Sequence, residues 1–125
     1  MMRATFPPSA RLHRPSEYAS ALQGRRIARG ALFVVTTPRA SAAAEQASGA
    51  RLGLIVAKRY AVRAVTRNAI KRVVRDAFRH RRHALPPRDL VFRLHSRIDA
   101  DLTLSGLKRR VRDEVENLLD RAMRC

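Results

Sequence analysis

The chain has 125 residues and a formal net charge of +17, with 27 Lys and Arg residues against 10 Asp and Glu. This length suits one domain with a modest core, so residues 1–125 are treated as a single domain. No apolar run approaches the roughly 20 residues that cross a bilayer, and the N-terminus has no apolar signal segment. The charge therefore points to nucleic acid or an anionic surface as the partner, and no membrane partner is expected.

The cysteine and histidine residues predict neither disulfides nor a metal site. Cys125 is the single cysteine, so an intrachain disulfide is impossible and a reducing cytoplasm is the simplest setting. His80 and His83 are three residues apart, but the arginines around them oppose a metal cation. We expect no metal ion or other cofactor to be bound by the protein alone.

The N-terminal region is basic and then helical. Residues 1–15 are interrupted by proline, which predicts an extended arm. A short helix follows, with Tyr18, Ala21 and Leu22 on one side, and Gly24 at or just beyond its end.

Two strands are predicted next, with a long connection between them. The apolar run 31–37 has strand composition. Residues 38–50 predict a flexible loop, with a short alanine-rich helical turn as the alternative. In the second strand, 51–59, positions 52–57 are uncharged on both sides, which predicts a place inside the sheet.

Residues 58–83 are the most basic part of the chain, with ten Lys or Arg residues and one acid, Asp76. From Thr66, a plausible N-cap, the stretch is predicted to form a helix that Pro86 and Pro87 cannot continue. Its apolar face consists of Ile70, Val73, Val74, Ala77 and Phe78. Its polar face consists of Asn68, Lys71, Arg72, Arg75, Arg79 and Arg82. A solvated face usually alternates in sign because like charges repel, so this row favours a polyanion.

The C-terminal region predicts a third strand and a last helix. Residues 88–95 have the two-residue period of a strand, with Leu90, Phe92 and Leu94 on one side and Val91, Arg93 and His95 on the other. Thr103 is a candidate cap for a helix whose outer face has mixed charge. The apolar stripe of that helix consists of Leu107, Val111, Val115, Leu118, Leu119 and Ala122. The order of elements predicts an α+β fold, a sandwich of helices packed on a small mixed sheet.

No arrangement of residues predicts chemistry by this chain alone. Asp99 and Asp101 are the only close carboxylates outside the last helix, and this spacing is more typical of a turn than of a metal site. The chain has no phosphate-binding glycine loop and no GxSxG motif.

The sequence GLIVAKR at 53–59, followed by AVTRNAIKRVVRDAFR at 64–79, resembles the signature of the bacterial ribonuclease P protein subunit. Residues 11–22, 85–94 and the segment from Leu107 resemble that family's first helix, last strand and last helix. The resemblance implies a two-layer α-β sandwich with N- and C-terminal helices flanking the sheet. Its basic helix would lie in a left-handed β-α-β crossover, against the usual right-handed preference.

The resemblance also implies a function. The family's proteins assemble with a large catalytic RNA, and the complex is an endoribonuclease that removes the 5′ leader of precursor tRNA by magnesium-assisted hydrolysis. Mg²⁺ would then be bound mainly by the RNA, which also supplies the catalytic groups. The expected partners are that RNA and precursor tRNA, in the cytoplasm, with no small-molecule substrate.

Two sets of site residues follow from the resemblance and the basic row. The RNA-binding set is Lys58, Arg59, Arg63, Arg67, Asn68, Lys71, Arg72, Arg75 and Arg79. Ala69 stands where the family usually has a second arginine, and Arg63 or Arg75 could compensate for it. The set that lines the family's leader cleft is Tyr18, Leu22 and Val35. A core tyrosine is the alternative for Tyr18.

Three other functions compete with this interpretation. A general RNA- or ribosome-binding protein would share the charge and the fold, and only the 53–79 motif argues against it. A DNA-architectural protein would use wedge residues that the chain does not obviously contain. A self-sufficient nuclease would need clustered carboxylates to hold its metal ions.

Overall fold

A computed structural model describes residues 11–12, 15–37, 50–85, 89–99 and 101–124. The expected arm at 1–15 and loop at 38–50 therefore lie largely outside the described residues, as do Pro86, Pro87 and Cys125. The elements in chain order are α1 (Pro15–Leu22), β1 (Arg25–Arg29), β2 (Phe33–Thr37), β3 (Arg51–Ile55), α2 (Ala64–Arg81), β4 (Asp89–Leu94) and α3 (Leu104–Arg124). A short 3-10 helix, Arg82–Ala84, extends α2 by one turn.

The four strands form one mixed sheet in the order β1-β2-β4-β3. The β1–β2 and β2–β4 pairs are antiparallel, whereas β3 and β4 are parallel and are joined through α2. The α+β class and the β-α-β unit around the basic helix are thus confirmed. The left-handed sense of that crossover stays a prediction.

The prediction that β3 lies inside the sheet was wrong. Within the described residues β3 pairs with one strand, β4, and forms an edge of the sheet. The uncharged residues on its second face are explained by burial, because Leu12 and Tyr18 lie against Gly53, and Ile55 packs against the cluster that contains Leu12. Arg11 forms a parallel bridge with Leu52, and the backbone N–H of Leu12 donates to the Leu52 carbonyl at 3.0 Å.

The main core lies between one face of the sheet and the helices α2 and α3. Alternate positions of β2, β3 and β4 enter it, among them the edge-to-face pair Phe33 and Phe92, whose ring centroids are 6.4 Å apart. All six residues of the predicted α3 stripe are buried. On α2, four of the five predicted apolar residues are buried and Val73 is partly buried against the core.

The opposite face of the sheet is covered by α1 and the segment before it. Leu12, Ala21 and Val91 form a small buried cluster there, and Tyr18 and Ile55 pack against it. Gly53 of β3 lies directly beneath, and a Cβ at this position would come within 2.8 Å of both Leu12 and Tyr18. The glycine therefore permits the close approach of Tyr18 to the sheet.

The helix starts differ from expectation in one case. α2 begins at Ala64, with extended Arg63 as its N-cap and no side-chain capping bond, so Thr66 lies inside the helix and the cap prediction was wrong. Thr103 does cap α3, because its Oγ1 accepts a bond of 3.1 Å from the Gly106 N–H. Strand β1 was not predicted, since three of its five residues are arginine.

Candidate nucleic-acid interface

The basic helix α2 is anchored in the core along one side. Its buried residues are Ala69, Ile70, Val74, Ala77 and Phe78. Ala69, the position at which the family pattern has arginine, therefore adds an apolar contact to the buried side instead of a cation. The opposite side carries the cations, and its two ends have different surroundings.

At its C-terminal end, α2 is neutralised by α3. Asp76 accepts hydrogen bonds from Arg79 at 2.8 Å and from Arg112 of α3 at 2.6 Å. Arg81 donates to Glu116 at 2.9 Å and also to Asp120, both on α3. These contacts form the ion network of α2 and α3, which consists of Asp76, Arg79, Arg81, Arg112, Glu116 and Asp120.

The pKa shifts in this network follow from the same contacts. Hydrogen bonds from Arg112, and then from Arg79, hold the pKa of Asp76 below its ordinary value. The hydrogen bond to Asp120 raises the pKa of Arg81. Arg79 was predicted to bind RNA, and the structure places it in this network, away from the other predicted residues at the start of the helix. Its contact with RNA stays a prediction.

At its N-terminal end, α2 has cations without acidic partners. In the described part of the chain, no carboxylate forms an ion pair with Lys58, Arg59, Arg63, Lys71 or Arg72. Asn68 lies among them and is exposed. We call this group, with Asn68, the free basic face: Lys58, Arg59, Arg63, Asn68, Lys71 and Arg72. The mutual repulsion of its charges is left for solvent or an anion to offset.

Two arginines, one beside the free basic face and one within it, make contacts with neighbouring residues of the chain. Arg67 Nη1 donates to the carbonyls of Ala61 and Val62 at 2.9 and 2.8 Å, so this predicted RNA-binding residue also fixes the segment before the helix. The guanidinium of Arg59 lies 4.9 Å from the ring centroid of Tyr60, a cation–π distance. The free basic face therefore lies at a helix start whose backbone is held by these contacts.

A small cavity of about 250 Å³ connects the basic helix with the N-terminal segment. Three cations line it: Arg11, Lys71 and Arg75. Burial, and then the charge of Arg11, lower the pKa of Arg75, as expected where like charges converge. Arg11 was not predicted as a site residue, because its position near α2 depends on tertiary contacts such as the bridge to Leu52. The basic, proline-broken sequence around it was the available signal.

The predicted leader-cleft residues do not all share one surface. Tyr18 lines the same cavity, half-buried, and its hydroxyl is 3.5 Å from the Leu12 carbonyl. Leu22 is exposed at the end of α1. Val35 is fully buried in the main core under α2 and α3, on the other face of the sheet, so its assignment to the cleft was wrong. Alternation along β2 places Val34 and Thr36 on the α1 side instead.

Most of the described carboxylates are held by protein groups. Asp89 forms a two-bond ion pair with Arg51, and Glu114 accepts bonds from the Leu32 and Phe33 N–H groups. Asp99 accepts a bond from the Asp101 N–H, which confirms the predicted turn. Among the residues that the structure describes, no three His, Cys, Asp or Glu side chains are grouped so that they could hold a metal ion. No helix of the described ranges is long and apolar enough to cross a membrane.

Comparison with known families gives one result over nearly the whole chain. Residues 6–123 match the family model described as Ribonuclease P. The chain is 60% identical over 116 residues to the ribonuclease P protein component of Bordetella petrii, covering 93% of this chain and 94% of that protein. It is 40% identical to that of Paraburkholderia xenovorans, covering 98% of this chain and 86% of that protein.

Solved structures agree on the fold. The ribonuclease P protein of Staphylococcus aureus superposes with a TM-score of 0.65 at 22% identity, covering 92% of this chain and 93% of that one. The protein of Thermotoga maritima gives a TM-score of 0.57 at 21% identity, covering 86% and 96%. The arrangement of helices on a small mixed sheet is therefore shared.

Proposed function

Since the chain belongs to the ribonuclease P protein family, we propose that it is the protein subunit of bacterial ribonuclease P. In this role it binds the enzyme's catalytic RNA and the 5′ leader of precursor tRNA, and it assists the endonucleolytic removal of that leader in the cytoplasm. The observation that carries the proposal is the free basic face, at the point of the chain where the family motif lies.

The cations available to a ligand are concentrated at one end of α2. At the C-terminal end Arg81 pairs with Glu116 and Asp120 of α3, and Arg79 pairs with Asp76, whereas the N-terminal end keeps Lys71 and Arg72 available. Arginine can bind phosphate oxygens through two parallel hydrogen bonds, and Asn68 can both donate to and accept from a base edge or 2′-hydroxyl. The rigid helix presents these groups at fixed spacing to the RNA.

The leader is the proposed ligand of the cavity beside Tyr18. Arg11, Lys71 and Arg75 surround this cavity with positive charge, and Tyr18 contributes an aromatic ring. A cationic groove with an aromatic side chain is the usual way to bind single-stranded nucleic acid. Leu22 is exposed at the end of α1, the helix that also carries Tyr18.

The protein's part in the reaction is binding and orientation. Its described carboxylates do not fit a magnesium site of their own, because Asp76, Asp89 and Asp120 are paired with arginines and Glu114 with backbone N–H groups. We therefore assign Mg²⁺ and the hydrolytic chemistry to the RNA. The cations of this chain hold the substrate against that RNA and reduce the repulsion between the two polyanions.

The test is reconstitution. The protein is mixed with a bacterial ribonuclease P RNA and precursor tRNA at a low magnesium concentration at which the RNA alone is nearly inactive. We expect 5′ cleavage only when both components are present. Specific cleavage by RNA-free protein, or no effect of the protein on the RNA, would contradict the proposal.

A general RNA-binding protein is the alternative, and the same experiment distinguishes it. Such a protein would bind ribosomal and ribonuclease P RNA with similar affinity and would not restore cleavage. The matched control is a Lys71→Ala/Arg72→Ala variant, which keeps the core intact because both side chains lie off the buried side of α2.

A further inference from the structure

A second concave surface lies at the start of α2, away from the cavity beside Tyr18. It is a groove of about 560 Å³ between residues 60–66 on one side and residues 97–99 and 102–104 on the other. Apolar side chains make up much of its lining: Val62, Val65, Ile98, Leu102 and Leu104. We call it the apolar groove.

The apolar side chains of this groove are unusually accessible. Val62 is 75% exposed, Val65 is 56% exposed and Leu104 is 44% exposed. Single exposed aliphatic side chains are ordinary on a protein surface. Here three of them border one groove on a very basic protein, and such clustering marks binding surfaces.

Both walls of the groove are held in place before any ligand arrives. The Ile98 N–H donates to the Tyr60 carbonyl at 2.9 Å, which joins one wall to the other. Arg67 fixes the carbonyls of Ala61 and Val62, and the Asp99 carbonyl accepts a bond of 3.2 Å from the Leu102 N–H. A pre-ordered groove loses little conformational entropy on binding.

The rim of the groove is cationic. Arg63 and Arg97 line it and are both exposed. Arg63 belongs to the free basic face, so the groove is continuous with the surface proposed to bind RNA. Asp99 also lines the groove, and its carboxylate is engaged by the Asp101 N–H. An apolar floor beneath two arginines suits a nucleotide, whose base is flat and weakly polar on its faces and whose phosphates are anionic.

We propose that the apolar groove takes one unpaired base of the ribonuclease P RNA, with the flanking phosphates at Arg63 and Arg97. The inference rests on the proposed function and adds a base-binding site to it. The leader is not the occupant, because its proposed cavity beside Tyr18 lies at the β3 edge of the sheet and shares no lining residue with the apolar groove.

Truncation of the groove tests the proposal through the salt dependence of RNA binding. Val65→Ala and Leu104→Ala remove apolar contacts without removing charge, and alanine is compatible with both helices. We expect the double variant to bind the ribonuclease P RNA roughly tenfold more weakly. The slope of log K against log salt should stay unchanged, because no phosphate contact is lost. Met123→Ala, an exposed apolar residue at the far end of α3, is the matched control and should bind like the wild type.

Cross-linking identifies the occupant. A Val62→Cys/Cys125→Ser variant carries a benzophenone at the most exposed position of the groove. We expect a cross-link to one nucleotide of the ribonuclease P RNA, and removal of that base should abolish the effect of the groove variants. Wild-type affinity for the RNA in the variant that carries Val65→Ala and Leu104→Ala would overturn the proposal. Cross-links only to the leader, or only to a second copy of the chain, would also overturn it. The proposed function fails separately, if the wild-type protein does not bind or activate this RNA.

Discussion

The carboxylate of Asp76 on α2 accepts a hydrogen bond of 2.6 Å from Arg112 on α3. This contact is the first of the ion network of α2 and α3 along the helix. It separates the part of α2 whose cations form ion pairs from the part whose cations do not. Beyond it, towards the C-terminus, Arg79 pairs with Asp76 itself, and Arg81 pairs with Glu116 and Asp120 of α3. Before it, the cations of the free basic face have no acidic partner among the described residues. The helix thus forms ion pairs within the protein at one end, and at the other it carries the cations that we propose to bind RNA.

The pH dependence of stability should report the Asp76 contacts. Because its folded pKa is lowered, its stabilisation is present above the unfolded pKa of about 3.9 and is lost as the pH falls through the folded value. We expect Asp76→Asn to lower the free energy of unfolding by about 1 kcal/mol at neutral pH, a value discounted for solvent screening. The difference from wild type should shrink below about pH 4 in urea titrations at several pH values. A difference that is independent of pH would remove Asp76 from the network.

Arg67 should matter to the fold as well as to binding. Loss of its two bonds to the Ala61 and Val62 carbonyls should lower the free energy of unfolding by roughly 1–2 kcal/mol in Arg67→Ala. Arg63→Ala removes a neighbouring exposed cation with no described bond to the protein, and it should change stability by less than about 0.5 kcal/mol. Urea denaturation of the two variants compares them directly. Equal stability losses would contradict the assigned role of Arg67.

The core side of α2 should tolerate no charge. Val74 is fully buried, so Val74→Asp would place an unpaired carboxylate in the core and lower the free energy of unfolding by roughly 4 kcal/mol or more. Arg72→Asp puts the same side chain on the exposed side of the same helix and should leave the thermal transition cooperative. A folded Val74→Asp variant in circular dichroism melts would show that the helix is oriented differently.

The long amphipathic elements could be predicted from the sequence, whereas contacts between distant segments could not. The stripes of α2 and α3 follow from their 3.6-residue period, and both were predicted. Strand β1 has no apolar alternation, and only its pairing with β2 makes it a strand. The edge position of β3 follows from its pairing with the distant strand β4 in the order β1-β2-β4-β3. The ion network depends on Glu116 and Asp120, which are 35 or more residues from Arg81 in the chain.

For the candidate site, too, the residues on one helix could be predicted, whereas contacts between distant elements could not. The 53–79 motif indicated the cations of α2, but no local pattern predicts that Glu116 and Asp120 of α3 pair with Arg81 at one end of the row. Val35 was misplaced because two residues adjacent in a strand face opposite sides of the sheet, and the resemblance did not fix which side binds the leader.

Tyr18 should contribute to leader binding through its ring. Tyr18→Phe keeps the ring and removes only a long hydroxyl contact of 3.5 Å, so it should be nearly silent. Tyr18→Ala should weaken precursor tRNA binding to the holoenzyme by roughly fivefold to tenfold. Because Tyr18 also packs over Gly53, the alanine variant should melt at a lower temperature. The deciding quantity is the ratio of precursor to mature tRNA affinity, which should fall; equal losses for both tRNAs would assign Tyr18 to the core alone.

The central claim is that the N-terminal end of α2 binds the catalytic RNA, and a charge-matched comparison tests it most directly. One variant carries Arg63→Ala, Lys71→Ala and Arg72→Ala, and the other carries Lys108→Ala, Arg109→Ala and Arg110→Ala on the exposed face of α3. Both lose three positive charges. Affinity for the ribonuclease P RNA is measured across a salt series. We expect the log–log slope to become shallower by roughly 2 to 3 in the α2 variant only, at about 0.7–0.9 per lost phosphate contact. Equal slopes in the two variants would show that net charge, and not this face, binds the RNA.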